Sequence, residues 1–131
     1  MSALLEQDIV FDTDPATLYN AYLNAKQHSA FTKAPATIEP SEGAAFTLYG
    51  GGVEGRNIEL IENQRIVQAW RGADWASGHY SLVTFELTPH KGGTQLHLTH
   101  SAFPEGAGDH LDGGWHKMYW EPIKAWLAST R

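Results

Sequence analysis

Seven histidines, five tryptophans and no cysteine set the terms for any chemistry this chain of 131 residues could perform. Without thiols there is no cysteine nucleophile, no disulfide and no thiolate zinc site. The histidines do not assemble into a metal set either. His97 and His100 lie three apart in a segment with strand periodicity, which turns them to opposite faces, and His110 and His116 lie six apart in a helical one, which separates them around the axis. No Asp or Glu completes a cluster at ligand spacing, so no metal site is expected. Ser77, Ser81 and Ser101 lack a Gly-x-Ser-x-Gly elbow, and the Gly50-Gly51-Gly52 run lacks the Lys and Ser/Thr of a phosphate loop, so both sets read as turn or surface. Glu105, Asp109 and Asp112 gather at the start of the last helical segment, where they oppose the positive end of its dipole. No catalytic residue and no cofactor are expected.

What remains is a pocket made of rings. His100 continues the inward series Leu96, Leu98, and either orients a ligand or is a core histidine bonded to backbone or to Tyr119. Trp70, Trp75, Tyr80, Phe85, Trp115 and Tyr119 are many aromatics for short segments, and they either line an apolar cavity or fill it. Phe46, Leu48, Ile58 and Leu98 complete the candidate lining from neighbouring strands. Arg56 shares a strand face with Glu54, and Arg71 follows Trp70. One of these arginines could hold a carboxylate at the cavity mouth, although a surface ion pair explains them as well.

The elements that must position these side chains follow from period and punctuation. Leu4 to Phe11 reads as a strand that stops at Asp12-Thr13-Asp14-Pro15, where Asp14 can cap a helix and Pro15 fits its first position. Leu18, Tyr19, Tyr22 and Leu23 fall at helical spacing, and a second short helix is expected over Ala25 to Thr32. From Ala36 to Phe103 the period becomes two, with turn residues about every ten positions, which describes an antiparallel meander. Tyr80 to Thr88 and Thr94 to Ser101 form its clearest hairpin, joined by Lys91-Gly92-Gly93. After a loop at Pro104 to Gly108, Asp109 to Ala128 reads as a helix. Leu111, Trp115, Met118, Tyr119, Ile123, Trp126 and Leu127 spread over a broad arc of it, with Lys117, Glu121 and Lys124 as a narrow polar strip. A flat sheet covers one stripe of a helix, so so wide an apolar arc implies a sheet that curls around it. Pro122 should kink the helix. The expected fold is therefore α+β, a curved antiparallel sheet of about six strands gripping a long C-terminal helix, with two short helices after the first strand and residues 1–131 as one domain.

Composition narrows the partners. A formal net charge of -6 and no run of Lys or Arg argue against nucleic acid. Nothing approaches the ~18 apolar residues that span a bilayer, and Met1 to Val10 has no signal-peptide pattern, so no membrane partner and a cytoplasmic location are expected.

Several blocks resemble a known family. Phe31-Thr32-Lys33-Ala34-Pro35-Ala36-Thr37 is similar to the segment leading from its second helix into the sheet, and Gly55 with the strand after it to the next block. Trp70-Arg71 followed by Trp75, Gly78, His79 and Tyr80 matches the following turn, and Gly114-Trp115 with Tyr119-Trp120-Glu121-Pro122-Ile123-Lys124 resembles its last helix. The family is the C-terminal domain of the activator of the heat-shock-protein-90 ATPase, within the START-like, polyketide-cyclase and pollen-allergen superfamily, and the likeness runs from about Asp8 to Leu127. In the eukaryotic activator a separate domain precedes this one, whereas here Met1 stands a few residues before the first strand. Pro122 stands where the family tends to carry glycine.

The resemblance implies a helix-grip fold with a cavity between sheet and long helix. Three functions compete. The first is a non-catalytic module binding a small apolar or amphipathic ligand in that cavity. The second is a modulator of a heat-shock-protein-90 chaperone. The third is a cyclase- or dehydratase-like enzyme, for which only His100 would qualify. A monomer or a weak homodimer is expected, with the strand edge near Ile38 or Phe46 as the pairing surface.

Overall fold

The structure is a computed structural model that describes residues 3–130. It opens with strand β1 (Leu4–Phe11) and two short helices, α1 (Pro15–Leu23) and α2 (Ala25–Thr32). Asp14 caps α1 by accepting from the Thr17 amide at 2.7 Å, with Pro15 at the first helical position. Asn24 repeats the device for α2, accepting from the Gln27 amide at 2.9 Å. These side chains satisfy amide donors that a helix start leaves without partners.

Five further strands follow: β2 (Ala45–Leu48), β3 (Val53–Ile61), β4 (Arg65–Gly72), β5 (Ser81–His90) and β6 (Gly93–Ser101). All six form one antiparallel sheet in the order β1-β6-β5-β4-β3-β2, so the first strand closes against the last. Along β5 and β6 the alternation is strict. Ser81, Val83, Phe85 and Leu87 face inward, as do Thr94, Leu96, Leu98 and His100. Phe46 and Leu48 are buried in the core, the Phe46 ring lying over Gly55, where a Cβ would fall 2.6 Å from its Cζ. The outer side of β2 is partly closed by the chain itself, since Thr37 and Thr47 exchange both backbone hydrogen bonds.

The C-terminal helix runs as α3 (Gly108–Trp115), a π-helical turn (His116–Trp120) and α4 (Glu121–Ser129), with αR backbone at both junctions. Leu111, Trp115, Tyr119, Trp120, Ile123 and Leu127 are buried, and Lys117, Glu121 and Lys124 are exposed. Rings from an edge strand and an inner strand reach it: Phe11 of β1 packs against Trp120 at 6.0 Å and Trp70 of β4 against Trp115 at 5.6 Å between centroids. Helix α2 covers the remaining side through Phe31 and Trp126 at 6.2 Å. This is the helix-grip arrangement. Gln7 of β1 fastens it, accepting from the Trp120 indole N–H at 2.6 Å and donating to the Asp112 carboxylate at 2.7 Å. Asp112 is thus a strand-to-helix anchor rather than a helix cap.

Pro122 is absorbed by the wide turn ending just before it. In an α-helix residues five apart diverge by about 140°. The π turn brings Trp115 and Trp120 onto one face, stacked at 5.4 Å and 16°. The carbonyl that a Pro122 amide would have bonded is that of Met118, and the Tyr49 hydroxyl donates to it instead. The same rewinding leaves Met118 40% exposed rather than buried with its apolar neighbours.

Candidate functional site

Two buried polar systems account for the interior histidines. The Trp115 indole can only donate, so His100 Nδ1 accepts from it at 3.1 Å and the imidazole proton sits on Nε2. That N–H donates to Ser81 Oγ at 2.8 Å, and the Ser81 hydroxyl donates to the Trp70 carbonyl at 2.7 Å. Burial pulls the His100 pKa down to about 4, which keeps the ring neutral. Such a serine–histidine pair is wired against nucleophilic catalysis. The nitrogen facing Ser81 already carries a proton, and moving it to Nδ1 would set two N–H donors against each other. His100 is therefore a bonded core histidine whose partners are Ser81 and Trp115, not Tyr119, and Ser81 is buried rather than a turn or surface residue.

The second system escaped the sequence. His28 Nδ1 lies 2.7 Å from the Tyr22 carbonyl, which can only accept, so Nδ1 carries the proton and Nε2 accepts from the Tyr119 hydroxyl at 3.2 Å. Desolvation lowers its pKa to about 4 and raises that of Tyr119 well above its ordinary value. Nearby, Tyr22 donates to Gln68 at 3.1 Å, Gln68 to Asn57 at 3.0 Å, and Asn57 to the Glu39 carbonyl at 2.9 Å. These polar groups sit at zero or nearly zero exposure and satisfy one another.

The open space lies at one end of the grip. A cleft of about 580 Å³ separates α3 and the π turn from the loops after β2, β4 and β6. Of the sequence candidates, Trp70, Trp75, Trp115 and Tyr119 stand in its wall. Phe46, Leu48, Phe85, Leu98 and His100 are fully buried core residues outside it. Ile58 and Tyr80 face the opposite side of the sheet, 51% and 47% exposed, and line no cavity between sheet and helix. The reason for Ile58 is parity: Asn57 is drawn inward by its bond from Gln68, so its neighbour points out. Tyr80 lies against the Arg71 guanidinium at 5.8 Å.

The arginines act on the outer face as well. Arg71 donates to Glu54 at 2.9 Å and to the Trp75 carbonyl at 2.7 Å, which pins the loop after β4, and Arg56 donates to the Gly43 carbonyl. Neither lines the cleft. Trp75, held from behind, folds over Gly72, where a Cβ would meet its Nε1 at 2.8 Å, so a side chain there would push the indole away. Tyr49, Asp74 and Glu105 join the wall from three separate connections and His110 from the first turn of α3, and no periodic pattern could have linked them. The indole N–H of Trp70 is buried without an acceptor. Elsewhere His97 bridges Asp8 at 2.8 Å and Glu6 at 3.4 Å on the outer surface. The Asp8 hydrogen bond raises its pKa and, reciprocally, holds the Asp8 carboxyl low. No helix of the described residues is long and apolar enough to cross a membrane.

Comparison with known proteins places this geometry. The family model described as activator of Hsp90 ATPase homolog 1-like protein matches residues 12–128. Activator of 90 kDa heat shock protein ATPase homolog 1 from Homo sapiens is 32% identical over 114 residues, 87% of this chain and 34% of that protein. The chain spans about a third of the length of the curated relatives it matches. The crystal structure of an HSP90 activator from Plasmodium falciparum superposes with a TM-score of 0.88 at 25% identity, covering 95% of this chain and 96% of that one. The solution structure of the Aha1 dimer from Colwellia psychrerythraea shares the fold, with a TM-score of 0.78 at 18% identity and 93% coverage of each chain. The chain belongs to the activator of Hsp90 ATPase homolog 1-like family.

Proposed function

We propose that this chain is a non-catalytic binding domain, one START-like unit over residues 1–131, that modulates the ATPase of an Hsp90-type chaperone. The observation that carries this reading is its likeness across 95% of its length to a protein described as an HSP90 activator, 96% of which is covered in return. The interior supports it. Both buried histidines are neutral and fully bonded, so a role in binding fits better than acid–base chemistry, and the cyclase- or dehydratase-like alternative loses the one residue it rested on. Action on such a chaperone would place the chain in the cytoplasm. The test is a titration of the purified protein into an Hsp90-type chaperone with ATP hydrolysis as readout. A saturable change in rate at tens of micromolar is expected, and neither binding nor a change in rate at that concentration would sink the proposal.

A specific observation favours a second reading, that the cleft takes a small apolar or amphipathic molecule. Its volume of about 580 Å³ falls in the ~300–1,000 Å³ range of ligand pockets. Its wall is largely aromatic and apolar, with Tyr49, Trp70, Trp75, Trp115 and Tyr119 in it, which suits a guest with an apolar body.

A further inference from the structure

The cleft has a charge character that its apolar wall conceals. Among the described residues no lysine or arginine lines it, whereas Asp74 and Glu105 do, with His110 as the one basic side chain. Trp75 and Tyr49 are half-buried rings in the same wall, and both carboxylate residues are exposed there. Ring faces and carboxylates attract the same kind of ligand, an organic cation with an apolar body.

The helix adds an independent sign. Gly113 and Gly114 are consecutive glycines in α3, neither with positive φ, and a Cβ on either would meet nothing within 4 Å. Packing therefore does not require them, although glycine is the poorest helix former after proline. Only Gly114 lines the cleft, and any side chain there would project into it.

Resting on the second reading above, we propose that the cleft is a binding site for an amphiphilic organic cation. Asp74 and Glu105 select the charge, Trp75 and Tyr49 pack on the apolar body, and Gly114 keeps the floor open.

The probe is hexanoylcholine, which combines a fixed positive charge with a short alkyl chain. Its uncharged carbon isostere, 3,3-dimethylbutyl hexanoate, and the anion hexanoate are the comparators. Binding to the full chain is followed by tryptophan fluorescence and calorimetry. The cation should bind about tenfold more tightly than its isostere, the sum of a ring contact and two solvated carboxylates, and hexanoate weakest of all. A double Asp74→Asn, Glu105→Gln variant should lose that preference while holding the neutral ester as before. Gly114→Leu should abolish binding of both esters, and Gly113→Leu, matched in helix propensity, should not. If Gly114→Leu fails to fold, the exposed carboxylate variants decide alone. Equal affinity for cation and isostere would overturn the charge assignment and leave the cleft reading standing. Binding of none of the three would overturn both, and unchanged binding in Gly114→Leu would put the site elsewhere.

Discussion

Replacing Gly114 by alanine should stabilise the protein, and the size of the effect can be worked from the helix. Alanine is favoured over glycine by about 1 kcal/mol in a helix interior. That gain survives only where the added Cβ clashes with nothing, and around Gly114 nothing lies within 4 Å. An unfolding entropy of about 2.1 cal/mol/K per residue near 60 °C, over 131 residues, makes ~1 kcal/mol worth about 4 °C in Tm. Gly113→Ala is the matched control, equally unobstructed and one residue away on the exposed side. Both variants should melt about 4 °C higher by calorimetry or circular dichroism and raise the urea midpoint without changing its slope. A Gly114→Ala variant that melts lower than the wild type, while Gly113→Ala melts higher, would refute the reasoning. It would mean that the backbone at 114 is pressed against something and that the floor of the cleft is not open.

Two further outcomes follow from the buried polar groups. His28 and His100, each with a pKa near 4, stay neutral in the fold while the unfolded chain takes up protons below its ordinary histidine pKa of 6.5, so stability is intact above pH 6.5 and falls from there towards pH 4. At pH 5 the loss should be roughly 2 kcal/mol per histidine, read as a shift in urea midpoint against pH 7. The raised pKa of His97 works in the opposite sense, stabilising below pH 6.5 and fading above, and a midpoint unchanged between pH 7 and pH 5 would contradict the assignment. Tyr49→Phe should cost about 1 kcal/mol by removing the donor to the Met118 carbonyl. In a Pro122→Ala background, where the restored amide can take that carbonyl, the cost should shrink by at least ~0.5 kcal/mol in a double-mutant cycle, and additive losses would show that Pro122 and Tyr49 do not share it.

Much of the fold could be read from residue spacing because its signals are local. Asp14-Pro15 announces a helix start, and the alternation from Val83 to Leu87 and Leu96 to His100 fixes which side of β5 and β6 meets the helix. The candidate site was less legible, because burial there follows hydrogen bonds rather than hydrophobicity. A pattern reader turns Ile58 inward and Asn57 outward. The structure does the reverse, since Asn57 joins Gln68 and Tyr22 in a chain whose members lie far apart in sequence, and a register shift at Asn57/Glu59 adds to the irregularity. Tyr80 was misplaced for a similar reason: Ser81, small and polar, takes the inward position and holds His100. The π turn leaves one trace in the sequence, Pro122, which marks an irregularity in the helix but not its kind. The structure puts a π turn with its extra residue immediately before that proline.

The departures from ordinary construction are not scattered at random through the molecule. Helix glycines without a packing role, a π turn, a proline two residues beyond it, a non-glycine residue with φ of 53° at Tyr49, and the unpaired N–H groups of Trp70 and Arg71 are all individually unfavourable. Lys33, Asn63, Lys91 and Ala102 also carry positive φ, so backbone strain alone would not single out one region. The combination does. Trp70, Gly114, Tyr49 and the π residues Met118 and Tyr119 line the same cleft, and Arg71 pins the loop that carries Trp75 over it. Meanwhile the buried side chains of His28, His100 and Gln68 are themselves hydrogen-bonded. Natural sequences tend to be consistent from local propensity to packing except where function requires otherwise. On that principle the cleft, and not the aromatic core behind it, is where this fold has given up stability for something else.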